Sequence, residues 1–177
     1  LTKNIIFNNF KGKKKNFKKK KIKEDLKNEN ILRLYPLLNS LKRDYNYSYK
    51  KKNLHKFKKY NSYNLIGMGG SVLGTKAIYD FLNFKIKKKF FFYDNLQNNK
   101  IISNNKKRIN IIISKSGNTL ETISNLNYLL KKERKNKNII ITEKNKNYLT
   151  RIAKELKAEI FEHKNYIGGR YSVLSEV

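Results

Sequence analysis

The stretch Ile111-Ile112-Ile113-Ser114-Lys115-Ser116-Gly117-Asn118-Thr119-Leu120-Glu121-Thr122 constrains the fold more than any other part of the chain. Three successive isoleucines suit a strand buried on both faces: β-branched side chains fill a pleated surface, and a central parallel strand needs no polar alternation. The apolar run stops at Ser114. Leu120, Ile123, Leu126 and Leu130 then recur at helical spacing, which predicts a helix opening near Thr119. A strand, a polar turn and a helix start make an anion site, because the first helical turn leaves N–H groups unpaired and the dipole places partial positive charge there. Ser114, Ser116 and Thr119 can add hydroxyl donors, and Gly117 lets backbone approach a ligand closely. The expected guest is a phosphate monoester. The plainer reading, in which Thr119 and its neighbours only cap a helix, weakens once a second loop of the same kind is found.

That second loop lies upstream. Tyr63-Asn64-Leu65-Ile66 reads as a strand, Gly67-Met68-Gly69-Gly70-Ser71 as the turn after it, and Val72, Leu73, Ala77, Ile78, Phe81 and Leu82 as a helix face. The turn is neither a complete G-x-G-x-x-G nor a Walker A loop, since no Gly-Lys-Ser/Thr follows. Further strands are predicted at 90–93, 109–113, 138–142 and 159–162, the last at an edge. Helices are predicted over 119–132 and through Tyr148, Leu149, Ile152, Ala153 and Leu156. The alternation implies an α/β three-layer sandwich, a parallel five-stranded sheet with helices on both faces. Ligands of such sheets lie beyond the carboxyl ends of the strands, where both polar loops fall.

The chain divides into a basic, partly helical segment over 1–60 and the sheet domain over 61–177. In the first part the lysine run 11–21 is expected to be a solvated loop. Ile22, Leu26, Ile31, Leu34, Leu38 and Leu41 suggest one or two amphipathic helices, with Pro36 between them or opening the second. Leu54, Phe57 and Tyr60 add a further short helix, and His55 reads as a surface residue.

Net charge is +29, which points to polyanions or anionic surfaces, yet 36 Lys stand against 6 Arg, with 26 Asn. Codons rich in A and T account for that bias. The charge is also dispersed, with 20 Lys+Arg and 4 Asp+Glu in residues 1–64 and 22 and 9 in the remainder. Specific nucleic-acid recognition, which favours arginine, is not expected. With no cysteine, disulfides and thiolate metal sites are excluded. Neither cofactor nor metal is called for. No apolar run is long enough to span a bilayer, and no signal-peptide core precedes the first elements, so a cytoplasmic, membrane-free location is expected. The start at Leu1 and the stop at Val177 inside a patterned segment suggest a fragment.

After the last strand comes His163, and then Gly168-Gly169-Arg170. A glycine pair before an arginine brings a guanidinium and local N–H groups near a surface, a usual way to meet an oxyanion.

Three motifs now stand in order: Gly67-Met68-Gly69-Gly70-Ser71-Val72-Leu73-Gly74, Ser114-Lys115-Ser116-Gly117-Asn118-Thr119-Leu120-Glu121-Thr122, and Gly168-Gly169-Arg170-Tyr171-Ser172-Val173-Leu174-Ser175. Together they resemble the glucose-6-phosphate isomerase family over about residues 60–177, with Met68 where the family has isoleucine. The first two alone would fit any sugar isomerase (SIS) domain. The resemblance implies reversible conversion of glucose 6-phosphate to fructose 6-phosphate, a step of glycolysis and gluconeogenesis. It implies that Ser114, Lys115, Ser116 and Thr119 hold the substrate phosphate and that Gly70 and Ser71 line the sugar-phosphate site. Arg170 is then the catalytic residue that stabilises the enediolate. A homodimer is implied for the full-length enzyme. The family's general-base glutamate, ring-opening histidine and catalytic lysine come from beyond the arginine motif. Glu121, Glu162, Glu176, His55 and His163 are not their counterparts, so the chain alone is expected to be inactive. The alternative is a non-catalytic SIS module that binds or senses a sugar phosphate.

Overall fold

The computed structural model of the protein describes residues 16–27, 33–96, 108–132 and 136–177. Strands β1 (Ser62–Gly67), β2 (Lys89–Tyr93), β3 (Ile109–Ile113), β4 (Lys137–Thr142) and β5 (Glu159–Glu162) form one sheet. All pairings are parallel and the order is β2-β1-β3-β4-β5. The helices are α1 (Asn16–Lys27), α2 (Lys51–Leu54), α3 (Gly70–Leu82), α4 (Leu120–Lys132) and α5 (Tyr148–Glu155). The α/β architecture read from the sequence is the one observed. From β1 the chain goes to β2 on one side and then returns to β3 on the other, which makes the β1/β3 boundary the switch point of the sheet.

The isoleucine runs explain the layers. Tyr63, Leu65, Ile109, Ile113, Ile139, Ile141 and Phe161 bury on one face together with Val72 of α3. Ile66, Ile112 and Ile140 bury on the other against Leu126 and Leu129 of α4 and Leu149 and Ala153 of α5. Each such fully buried side chain is worth roughly 1.5–3 kcal/mol. Near the amino ends of the strands a row of amides crosses the sheet. Asn64, Asn110 and Asn138 are paired in register. Asn64 donates to Asn110 at 2.9 Å, and Asn110 donates to Asn138 at 2.9 Å. The buried Arg108 donates to Asn64 at 3.4 Å and stacks on Phe91.

Upstream, two expectations change. The lysine run 11–21 was expected as a loop, but it is helical from Asn16 onward, and residues 11–15 lie outside those described. Lysine is a good helix former, and the exposed Lys20 and Lys21 keep their charges in water. Pro36 opens a helical turn as anticipated, but the turn is a 3₁₀ helix, Pro36–Leu41. Ile22, Leu34 and Leu41 are exposed, so this segment buries no apolar face at those positions; Ile31 lies outside the described residues.

Residues from Tyr45 to Tyr60 pack on the sheet. Phe57 enters the core, and Tyr63 donates to its carbonyl at 2.9 Å. The Tyr45 hydroxyl at 3.0 Å and the Ser48 amide at 3.2 Å both donate to the buried Glu176 carboxylate. Burial, reinforced by that carboxylate, raises the Tyr45 pKa well above the ordinary tyrosine value and keeps the phenol a donor. Among the described residues no helix is long and apolar enough to cross a membrane.

Candidate functional site

Strands β1 and β3 end level with each other: Gly67 pairs with Ile113. The glycine-rich and hydroxyl loops therefore leave the sheet from neighbouring positions on either side of the switch point. In the glycine-rich loop, the Val72 and Leu73 amides turn back onto the Gly69 carbonyl, both at 3.0 Å, and the Ser71 amide onto Met68 at 3.2 Å. Ser71 is half-buried and opens α3.

The hydroxyl loop is organised from inside. Ser114 is buried, its Oγ 2.9 Å from the Thr119 hydroxyl and accepting the Gly117 amide at 3.2 Å. Ser116 is exposed, with its Oγ accepting the Asn118 amide at 3.3 Å. Gly117 has φ +67°, and a Cβ there would stand 2.1 Å from Cγ and Oδ1 of Asn147. The Lys115 ammonium donates to the Asn165 carbonyl at 2.7 Å and lies 3.4 Å from Glu143. Its carbonyl receives the Glu143 amide and the Thr142 hydroxyl. Lys115 thus laces the loop to the ends of β4 and β5.

At the start of α4 the amides of Leu120, Glu121 and Thr122 have no hydrogen-bond partner among the described residues. Those donors, with the exposed Ser116 and the half-buried Thr119, are what an anion would meet.

The arginine motif forms a 3₁₀ helix, Gly169–Leu174, lying directly on α3. A Cβ on Gly70 would fall 2.2 Å from the Gly169 carbonyl oxygen, and one on Gly74 would fall 2.2 Å from Val173 Cγ2. Only bare backbone allows this approach. Ser172 closes the turn by donating to the Gly169 carbonyl at 2.7 Å. Arg170 is exposed, and its guanidinium has no partner among the described residues. The first and third motifs thus touch, while the first and second stand side by side.

His163, just past β5, is buried. Its Nδ1 lies 3.0 Å from the Lys164 carbonyl, which makes Nδ1 the protonated nitrogen and leaves Nε2 without a partner among the described residues. Burial lowers its pKa below the ordinary 6.5. The Lys164 carbonyl, Glu176 and Glu143 push it upward, and Lys115 pushes it down. Two residues that sequence reasoning passed over matter here: Asn118 accepts the Tyr148 amide at 2.9 Å, and Asn147 caps α5. The signal for the second was present in Asn147 followed three residues later by Thr150.

Residues 48–177 match the family model of phosphoglucose isomerase. The chain belongs to the phosphoglucose isomerase family. It is 41% identical over 139 residues to the glucose-6-phosphate isomerase of Methanocaldococcus jannaschii, covering 71% of this chain and 34% of that protein. It is 35% identical over 138 residues to that of Borreliella burgdorferi, covering 68% of this chain and 26% of that protein. The chain therefore spans about a third or less of the length of these phosphoglucose isomerase relatives. Among solved structures, a hypothetical protein from Thermus thermophilus superposes with TM-score 0.59 at 23% identity, over 86% of this chain and 43% of that one. Tagatose-6-phosphate ketose/aldose isomerase from Escherichia coli gives 0.55 at 18%, over 85% and 41%. At such identities these two bear on the fold alone.

Proposed function

We propose that the chain carries the sugar-phosphate-binding half of a cytoplasmic aldose–ketose isomerase that interconverts glucose 6-phosphate and fructose 6-phosphate. The observation that carries this reading is the set of unpartnered amides opening α4, beside Ser116 and Thr119 and across the switch point from Gly70 and Ser71. The α4 amides and the two hydroxyls hold the phosphate. Ser114 and Lys115 shape the loop, and Lys115 adds positive potential. Holding the phosphate far from the reacting carbons supplies orientation, and Arg170 meets the negative charge that develops as the proton moves between C2 and C1.

The general base lies outside these 177 residues in this reading. Glu176 is committed to Tyr45 and Ser48, and Glu143 to Lys115 and Asn145. General-base catalysis is worth about 10²–10⁴-fold, so the chain by itself binds without turning substrate over. The complete site draws on further sequence and on a second copy. Calorimetry with fructose 6-phosphate tests this: binding should compete with inorganic phosphate, and Arg170→Ala should leave it within about threefold, since its partner charge arises only in the transition state. Enzyme-like isomerisation by the 177-residue chain would overturn the placement of the base. Absence of phosphate competition would overturn the site itself.

A further inference from the structure

At the opposite side of the sheet from β2, the carboxyl ends of β4 and β5 frame a groove of about 1180 Å³. Five cations line it: Lys144 and Lys146 from the loop after β4, Arg151 and Lys154 from α5, and Lys164 after β5. One carboxylate, Glu162, stands among them. None of the four lysine ammonium groups has an ion pair or hydrogen bond among the described residues. The groove also runs along an open sheet edge. Among the described residues β5 pairs with β4 alone, so there its outward N–H and C=O groups lack a partner strand, and Ile160, lining the groove, is 46% exposed.

Three kinds of anionic guest would leave different marks. A compact phosphate would need open amides, but those of Tyr148, Leu149 and Thr150 at the start of α5 are taken by Asn118, Gly117 and Asn147. Single-stranded nucleic acid would need bare aromatic faces, but the one ring lining the groove, Tyr148, is covered by the Arg151 guanidinium at 5.2 Å. An extended acidic polypeptide needs what is present: a free strand edge, an exposed apolar side chain, and flexible ammonium groups to follow carboxylates about 7 Å apart on alternate residues.

We propose that this groove docks an acidic, extended polypeptide segment, which adds a strand to the β5 edge and sets its carboxylates against Lys144, Lys146, Lys154 and Lys164. The groove borders the hydroxyl loop, whose Asn118 lines it, but the proposal draws on none of the residues proposed to hold the phosphate.

The test uses the 177-residue chain and a fluorescein-labelled peptide alternating glutamate and valine, followed by anisotropy at physiological salt. Binding should weaken about tenfold in the variant Lys144→Glu with Lys154→Glu, and about threefold when both are changed to Gln. Reversing Lys87 and Lys89, at the far β2 edge, should change it by less than about twofold. N-methylation of alternate peptide residues removes strand donors at constant charge and should weaken binding about tenfold. Circular dichroism of the Gln pair checks the fold. Equal losses from the far-edge pair would reduce the effect to diffuse attraction and overturn the groove. Undiminished binding of the N-methylated peptide would overturn strand addition. A single-stranded oligonucleotide that binds more tightly, with the same dependence on Lys144 and Lys154, would overturn the polypeptide assignment.

Discussion

At the start of α4 the amides of Leu120, Glu121 and Thr122 are left without partners among the described residues, whereas at the start of α5, one strand along, every early amide is taken. Tyr148 donates to the Asn118 side chain, Leu149 to the Gly117 carbonyl, and Thr150 to Asn147, whose own amide is closed by the Thr150 hydroxyl. The hydroxyl loop therefore spends its carbonyl and its asparagine on the neighbouring helix and keeps its own helix open. Two helices that begin in the same way after adjacent strands end up with opposite chemistry: among the described residues one start keeps its donors open, as the proposed phosphate site requires, and the other only fastens the neighbouring loop. A helix N-terminus becomes a binding site only where nothing in the chain satisfies it first.

Placing a carboxylate at each start breaks that contrast most sharply. Ser116→Asp should cost about 4 kcal/mol of phosphate binding, roughly a thousandfold, because like charges meet in a partly desolvated site. Asn147→Asp should leave phosphate affinity within about threefold, since aspartate keeps the cap on Thr150 while giving up only the donor to Thr142 and the Glu143 carbonyl. Calorimetry with inorganic phosphate measures both, and equal losses would erase the distinction.

Next in size is the joint between the two starts. Gly117→Ala places a methyl group on Asn147 at a positive φ and should destabilise the fold by about 2–3 kcal/mol in urea denaturation, with phosphate binding falling alongside. A stability change under about 0.5 kcal/mol would mean that the loop and the cap are not tightly fitted.

Asn147→Ala removes the capping box together with the side-chain bonds to Thr142 and the Glu143 carbonyl and should cost about 1–2 kcal/mol in the same measurement, while phosphate binding weakens only as far as the loop loosens.

The smallest effect concerns pH. Burial holds His163 neutral, with its pKa below 6.5 in the folded chain. As pH falls beneath 6.5 the unfolded chain takes up the proton first, so the folded state loses stability there and keeps the full contribution above it. The loss should stay under about 1.4 kcal/mol down to about pH 5.5, before carboxylates titrate. His163→Gln should flatten it. Because His163 sits near Lys115 and Glu143, an unchanged slope would detach that lacing from the imidazole.

The strands and the two polar loops were legible because the signal is local: β-branched runs such as Ile111–Ile113 stop abruptly at Ser114, and Leu120, Ile123, Leu126 and Leu130 keep helical spacing. Ser114 was legible as a loop hydroxyl but not as a buried one, since its burial depends on Thr119 folding back over it. Lys115 read as a phosphate neighbour; its ties to Asn165 and Glu143 are contacts between distant stretches that no spacing encodes. For the same reason the bond from Tyr45 to Glu176, across 131 residues, was out of reach, and residues 45–60 read as part of a separate segment. The contact of Gly70 with Gly169 is of the same long-range kind, although both glycines were singled out.

The row of asparagines across β1, β3 and β4 solves a difficulty that the isoleucines create. A slip of two residues between β3 and β4 would set Ile111 opposite Ile141 and leave each isoleucine on its proper face, so apolar burial alone barely distinguishes correct from shifted pairing. The shifted sheet would bury amides with no counterpart, each costing about 1–3 kcal/mol. Asn64, Asn110 and Asn138 thus act as an indexing pin during folding. Because they sit at the amino ends of the strands, they also meter the distance to the carboxyl ends. The level emergence of Gly67 and Ile113, and with it the alignment of the two polar loops, is set from the far side of the sheet.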